Sequence, residues 1–168
     1  MPVPDFVLRL REKIGHQLLP MTGVTGVVLD DRGRLLLGRR ADNGRWGLPS
    51  GILEPGEQPA PGLLREVEEE TAVVARVEAL VSVWMMPPTT YPNGDAAQYL
   101  DLTFRCRHLA GEPRVNDDES LEVGWFDLED LPSGLSATSR FKLGRALEYD
   151  GTTWFASADG QDRLPSGS

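Results

Sequence analysis

Cysteine is nearly absent from this chain. Cys106 is the only one, so no internal disulfide and no thiolate metal cluster can form. It lies in an apolar, strand-like run and is read as a plain buried thiol rather than a nucleophile. Long apolar runs are missing too. No stretch of 18 apolar residues exists, and the start MPVPDFVLRLREK lacks the basic-then-apolar plan of a signal peptide. A cytoplasmic location with no membrane partner is the expectation. Positive charge is scarce, with 17 Lys and Arg against 26 Asp and Glu and a net charge of −9. That balance argues against stable nucleic-acid binding, which needs a basic patch. Lysine occurs only as Lys13 and Lys142. The remaining arginines favour planar, bidentate contacts wherever one meets a phosphate. Internal repeats and long linkers are absent as well, so 168 residues with 40% apolar content suit one domain.

What is present alternates between strand-like and helix-like patterns. Residues 5–19 place Phe6, Leu8, Leu10, Ile14 and Leu18 on a broad apolar side, with Asp5 as N-cap. A helix is expected there, in an N-terminal extension over residues 1–20, packing on the domain or on a second copy in a homodimer. His16 within it is read as a surface or interface residue. Residues 22–29 and 34–38 are apolar runs separated by Asp30-Asp31-Arg32-Gly33, a hairpin signal. Strands are also expected over 73–84, 98–107 and 121–126, and a helix near 139–149. Between them lie a long loop at 85–97, with the turn signal Asn93-Gly94, and a polar loop at 108–120. His108, at a strand end, is read as structural. Residues 21–156 form the expected main domain, and 157–168 a small, polar tail expected to be flexible.

The stretch GILEPGEQPAPGLLREVEEETAV, residues 51–73, carries the chemistry. Pro59, Pro61 and Gly62 are tolerable only near a helix start, which puts the first turn at 59–62. On a helix over 60–71, Glu66, Glu69 and Glu70 stand at i, i+3 and i+4 and share one face. Three carboxylates there repel one another, and a hard divalent cation would turn that repulsion into coordination. The competing reading is a solvated acidic face, the usual fate of a charge run.

The spacing separates the two. Gly51, five residues, Glu57, seven residues, then Arg65-Glu66-x-x-Glu69-Glu70 resembles the signature of the Nudix hydrolases. From average composition, six such fixed positions coincide by chance on the order of 10⁻⁷ per start site or less. GRWGLPSG before the signature and ESLEVGWFDLEDLP after the last long strand extend the resemblance over nearly the whole chain. It implies an α/β fold, the Nudix α/β/α sandwich with a mixed sheet, to which the N-terminal helix is added. One departure bears on structure. Ala72 stands where the pattern has glycine, and an L-residue in the left-handed region costs about 1 kcal/mol or more. A different helix exit is therefore expected. Ser50 also replaces a second glycine found in many members.

The resemblance further implies Mg²⁺- or Mn²⁺-assisted water attack on a phosphorus of a nucleoside diphosphate linked to another group. The implied metal ligands are Glu66, Glu69, Glu70 and the backbone carbonyl of Gly51. Glu57 pairs with Arg65 in support, and Arg65 orients carboxylates rather than touching substrate. The general base is either Glu66 or, in the acidic loop 116–120, Glu119, with Glu122 as its replacement. An arginine at 39 or 40 is implied for phosphate contact; neighbouring strand residues point to opposite faces, so one of the two faces the cleft. Trp46 is equally a core residue or a pocket wall, and a base could stack on Trp46, Trp84, Tyr91 or Tyr99. Pro88, fifteen residues past the signature, favours ADP-ribose-like compounds as the leading small-molecule nucleotide substrate. An oxidised nucleoside triphosphate comes next. A different class is a sensor of the same fold that binds a nucleotide or sugar without turnover, although such proteins commonly lose the acids kept here.

Overall fold

The computed structural model describes residues 3–158. Ten residues of the expected tail, 159–168, lie outside them, as do residues 1 and 2. The elements run α1 (Asp5–Ile14), β1 (Leu19–Leu29), β2 (Leu35–Arg40), β3 (Trp46–Gly47), β4 (Ser50–Ile52), α2 (Pro59–Thr71), β5 (Val74–Met85), β6 (Thr89–Thr90), β7 (Ala96–Ala110), β8 (Ser120–Phe126), α3 (Ala137–Leu147) and β9 (Trp154–Phe155). The strands form one mixed sheet in the order β3-β2-β1-β7-β5-β9, with β4 on β1, β6 on β7 and β8 on β2. β1 and β7 run parallel over eleven residue pairs, and β5 and β9 are parallel as well. The other pairings are antiparallel.

Strand alternation sorts the core into two layers. Val24, Val28 and Leu36 face α2, where they pack with Leu63, Val67, Phe104 and Cys106. Val27, Leu35 and Leu37 point the other way, against Leu143 and Ala146 of α3. β1 is covered on both faces, which is why its run 23–28 is buried without interruption. The result is the α/β/α sandwich expected, with α2 on one face of the sheet and α3 on the other. A Cβ at Gly26 would come within 3.3 Å of Leu63 and 3.4 Å of Val67, so α2 lies close over the middle of β1. Among the described residues no helix is long and apolar enough to cross a membrane.

Several expectations need correction. The N-terminal helix stops at Ile14 rather than continuing to 19. Gly15 takes φ 59°, and its N–H closes the helix on the Arg11 carbonyl at 2.8 Å. Asp5 is the first helical residue, not the cap. Pro4 holds the cap position in extended geometry, and its carbonyl accepts from Val7 and Leu8. The segment 85–97 is not a plain loop, because Thr89 and Thr90 pair with Ala97 and Ala96 to make a hairpin arm. β7 runs on to Ala110, so the polar loop begins three residues later than expected. Ala72 does adopt the left-handed region, φ 58° and ψ 16°. Its N–H bonds the Glu68 carbonyl at 2.9 Å, the Arg114 N–H donates to the Thr71 carbonyl at 3.0 Å, and Val73 beyond it is fully buried. Those contacts offset the roughly 1 kcal/mol that the conformation costs.

Candidate active site

α2 delivers its acids to the place where β4 crosses β1. Glu66 is buried, and a Cβ on Gly51 would stand only 2.1 Å from the Glu66 carboxyl carbon. Only glycine leaves room for that approach. Gly62 does the same for Glu57, whose carboxyl carbon would lie 2.7 Å from an added Cβ. Arg65 gathers the neighbouring acids. Its Nε and Nη2 donate to the two Glu57 oxygens at 2.9 and 3.1 Å, a bidentate pair. Nη1 reaches Glu69 at 2.9 Å and Nη2 reaches Glu66 at 3.0 Å. One guanidinium therefore serves three carboxylates, and it is not part of the lining of the cleft beside Glu70.

Glu70 is outside that set. Its carboxylate accepts one hydrogen bond, from the Ser50 N–H at 3.3 Å. Burial, reinforced by the charge of Glu66, pushes its pKa up to about 8. Burial raises Glu66 as well, against the opposing pull of Arg65. Glu70 lies on the wall of a cleft of about 290 Å³ that is also lined by Ser50, Gly38, Arg40, Asp42, Asp118 and Glu119. Four acids and one arginine line it, and that arginine is already forked onto Asp42 at 3.0 and 2.6 Å.

The expected substrate residues divide. Arg40 lines the cleft, whereas Arg39 turns away to Glu122, 2.9 Å, and the Gly44 carbonyl, 3.2 Å. Trp46 is in the α3-side core, edge-on to Phe126 with ring centroids 4.8 Å apart, and is not part of the cleft lining. The Tyr91 hydroxyl meets that of Tyr99 at 2.7 Å, on the hairpin arm and close enough to Arg40 for the charges to interact. Glu119 lines the cleft, and its carbonyl accepts from the Ala41 N–H at 2.7 Å, which ties the acidic loop to the end of β2. Sequence reasoning did not single out Asp42 or Asp118, nor Ser50 as a donor to Glu70. The Asp42 side chain could have been suspected from its place two residues after Arg40.

The donor set around Glu66, Glu70 and the Gly51 carbonyl consists of oxygen atoms, as a hard divalent cation requires. Glu66 shares Arg65 with two other acids, and the half-buried Glu70 beside it is raised to about 8, so a cation would supply counter-charge to both. Among the described residues no three acidic, histidine or cysteine side chains converge as a ready-made cation site, and Glu69 is held by Arg65.

This geometry meets the comparisons with known proteins on common ground. The family model described as NUDIX domain matches residues 19–147, from the start of β1 to the end of α3. A MutT-like protein of Streptomyces ambofaciens is 35% identical over 149 residues, 89% of this chain and 90% of its own. An ADP-ribose pyrophosphatase of Methanocaldococcus jannaschii is 32% identical over 118 residues, covering 68% of this chain and 66% of its own. The crystal structure of a MutT NUDIX hydrolase from Burkholderia pseudomallei superposes with a TM-score of 0.57 at 29% identity, over 76% of this chain and 98% of that one. Family, relatives and the acid-bearing helix agree: the chain belongs to the Nudix hydrolase family, a family that generally uses divalent metal ions on small nucleotide substrates, and is a pyrophosphohydrolase.

Proposed function

We propose that the chain hydrolyses the diphosphate bridge of a nucleoside diphosphate linked to another group, with an ADP-ribose-like compound as its leading substrate. The observation that carries this reading is the pair of neighbouring acids on α2: Glu66, buried against the Gly51 backbone, and Glu70, half-buried on the wall of a polar cleft. Glu66, Glu70 and the Gly51 carbonyl would hold Mg²⁺, or Mn²⁺, with Glu69 joining them if released from Arg65. When bound, the ion supplies charge neutralisation at the diphosphate and a lower pKa for the attacking water. Arg40 faces the same cleft and offers a planar contact to a phosphate oxygen. Arg65 and Glu57 hold the carboxylates in place. Glu119, in the cleft lining, and Glu66 are the two groups that could take the proton from water. The water oxygen bonds to one phosphorus, the bridging P–O bond breaks, and the departing phosphate keeps the electron pair. The acidic surface keeps nucleic acid away, the protein acts in the cytoplasm, and α1 is compatible with a homodimer.

The ADP-ribose assignment draws on the relative from Methanocaldococcus jannaschii and on Pro88 in the hairpin arm. A panel of ADP-ribose, other nucleoside diphosphate conjugates and oxidised nucleoside triphosphates, with Mg²⁺ or Mn²⁺, tests it. AMP from ADP-ribose, with Glu69→Gln and Glu70→Gln strongly impaired, is the expected result. Ligand-dependent melting shifts with no turnover on any member would replace hydrolysis with a sensor function.

A further inference from the structure

The N-terminal helix stands apart from the acids, yet one of its side chains is tied to the β6–β7 hairpin. The Arg11 side chain is only 11% exposed. Its Nη1 donates to the carbonyls of Gly15, 3.1 Å, and Gln17, 2.6 Å, and its Nη2 to the carbonyl of Ala96, 2.7 Å. Asp95 lies 3.7 Å from Nε and accepts a 2.8 Å contact from the His16 ring. The Ala96 N–H donates to the His16 carbonyl at 3.2 Å, and the His16 ring packs beside Gly94. A single guanidinium thus ties the end of α1, the connection to β1 and the tip of the β6–β7 hairpin.

That hairpin reaches the acids through Tyr99, whose ring and the Gly51 carbonyl lie on the same side of Gly23, 3.7 and 3.8 Å from where a Cβ there would stand. The Tyr91 N–H bonds the Asp95 carbonyl at 2.9 Å, so whatever fixes Asp95 fixes Tyr91. The Tyr91 hydroxyl is paired with Tyr99, and both rings lie within electrostatic range of Arg40 on the cleft wall. Tyr91 is exposed, held by the Tyr99 hydroxyl at its far end and by the turn at its backbone. Its position therefore depends on the turn beneath it.

We infer that Arg11 is a positioning residue for the substrate cleft, acting through the hairpin on Tyr91 and setting affinity for the organic group beyond the diphosphate rather than the chemical step. The inference rests on the proposed hydrolysis at that cleft. A surface arginine that served only helix stability would not need to reach a carbonyl 85 residues away in sequence. Its three backbone acceptors come from two segments, the α1–β1 connection and the start of β7, and it reinforces the direct Ala96–His16 bond between them.

The test compares wild type, Arg11→Ala, Arg11→Lys, Tyr91→Phe and the Arg11→Ala/Tyr91→Phe double variant, on ADP-ribose with Mg²⁺ or on whichever panel member wild type turns over fastest. Arg11→Ala should raise KM about tenfold and leave kcat within about twofold. Arg11→Lys should fall between, since an ammonium cannot fork onto three carbonyls. Tyr91→Phe should also raise KM, and the double variant should be no worse than the poorer single one, as coupled residues behave. Melting temperatures of all five separate lost affinity from lost fold, and His16→Ala, which removes one contact only, serves if Arg11→Ala is unstable. An unchanged KM in Arg11→Ala and His16→Ala, or strictly additive effects with Tyr91→Phe, overturns the inference while leaving hydrolysis intact. Wild type inert on every member overturns the hydrolytic reading, and this inference with it.

Discussion

Two constellations of charge lie on opposite faces of the same sheet, one buried and one partly open to solvent, and they are built on opposite terms. Toward α3, the Lys142 ammonium meets Asp101 at 2.7 Å and Thr25 at 2.9 Å, with the Met86 sulfur at 3.8 Å. Asp101 accepts in addition from Thr25 at 2.7 Å and Thr103 at 2.6 Å. Each charge has its opposite, and each is ringed by hydroxyls. Toward α2, Arg65 satisfies Glu57, Glu66 and Glu69 only in part, and Glu70 is left with one amide. A closed set is a structural device, because nothing from solution could improve it. The α2 set is the one left open to a group from outside, which is why the proposed chemistry is set there.

The largest effect should come from breaking the closed set. Lys142→Met leaves the Asp101 charge buried without a cation, and such losses cost about 3–5 kcal/mol. Chemical denaturation should show that loss. A change below about 1 kcal/mol would mean that the pair is not closed as described. Breaking the open set should do the reverse. Glu70→Gln should reduce kcat at least about 10²-fold while leaving the melting temperature equal or higher, since a neutral amide escapes the cost of ionising a carboxyl whose surroundings disfavour its charge. An unchanged rate removes Glu70 from the ligand set.

pH separates the two regions by sign. Burial and the Glu66 charge raise the folded pKa of Glu70 to about 8, above its ordinary value. Without metal, the folded state therefore holds a proton that the unfolded state releases. Its contribution to stability is complete below the unfolded pKa and is lost as pH rises toward 8. Melting in chelator should fall across that window, and Glu70→Gln should flatten the slope. Mg²⁺ or Mn²⁺ should raise the melting temperature more at the upper end of the window than at the lower, because the ion replaces the proton. The same slope in wild type and Glu70→Gln would assign it elsewhere.

How much of this was legible in sequence differs between the same regions. The acidic helix was, because Pro59, Pro61 and Gly62 fix its start and the carboxylate spacing fixes its face. The sandwich was legible too, through apolar alternation and the resemblance to the Nudix signature. The Lys142–Asp101 pair was not, since 41 residues separate its members and neither sits in a motif. β9 escaped because a two-residue strand exists only through its pairing with Ser82 and Val83. The exit of α2 was misjudged, because the cost at Ala72 is local while the contacts that offset it come from Arg114 and the core. Choosing between Arg39 and Arg40 also needed the fold. Alternation sends the two to opposite faces, and only the pairing of Arg39 with Glu122 on β8 shows that Arg40 is the one in the cleft.

The smallest expected effect tests the general base. Glu119 and Glu122 are three residues apart, and both were read as acids able to face substrate. Glu119 lines the cleft; Glu122 sits on β8 opposite Arg39, with both side chains about half exposed, 57% and 42%. An exposed ion pair of that kind contributes about 0–1 kcal/mol. Glu122→Gln should therefore shift stability by a few tenths of a kcal/mol and leave kcat unaltered. Glu119→Gln should lower kcat with little change in melting if it takes the proton from water. A normal rate in Glu119→Gln would leave Glu66 to act as base, a role that its burial against Gly51 restricts to a water held between α2 and β4. A slow Glu122→Gln would be the more consequential result. It would place the exposed end of β8 inside the reacting cleft, and the boundary between the open acidic set and the ordinary surface would then have to be redrawn.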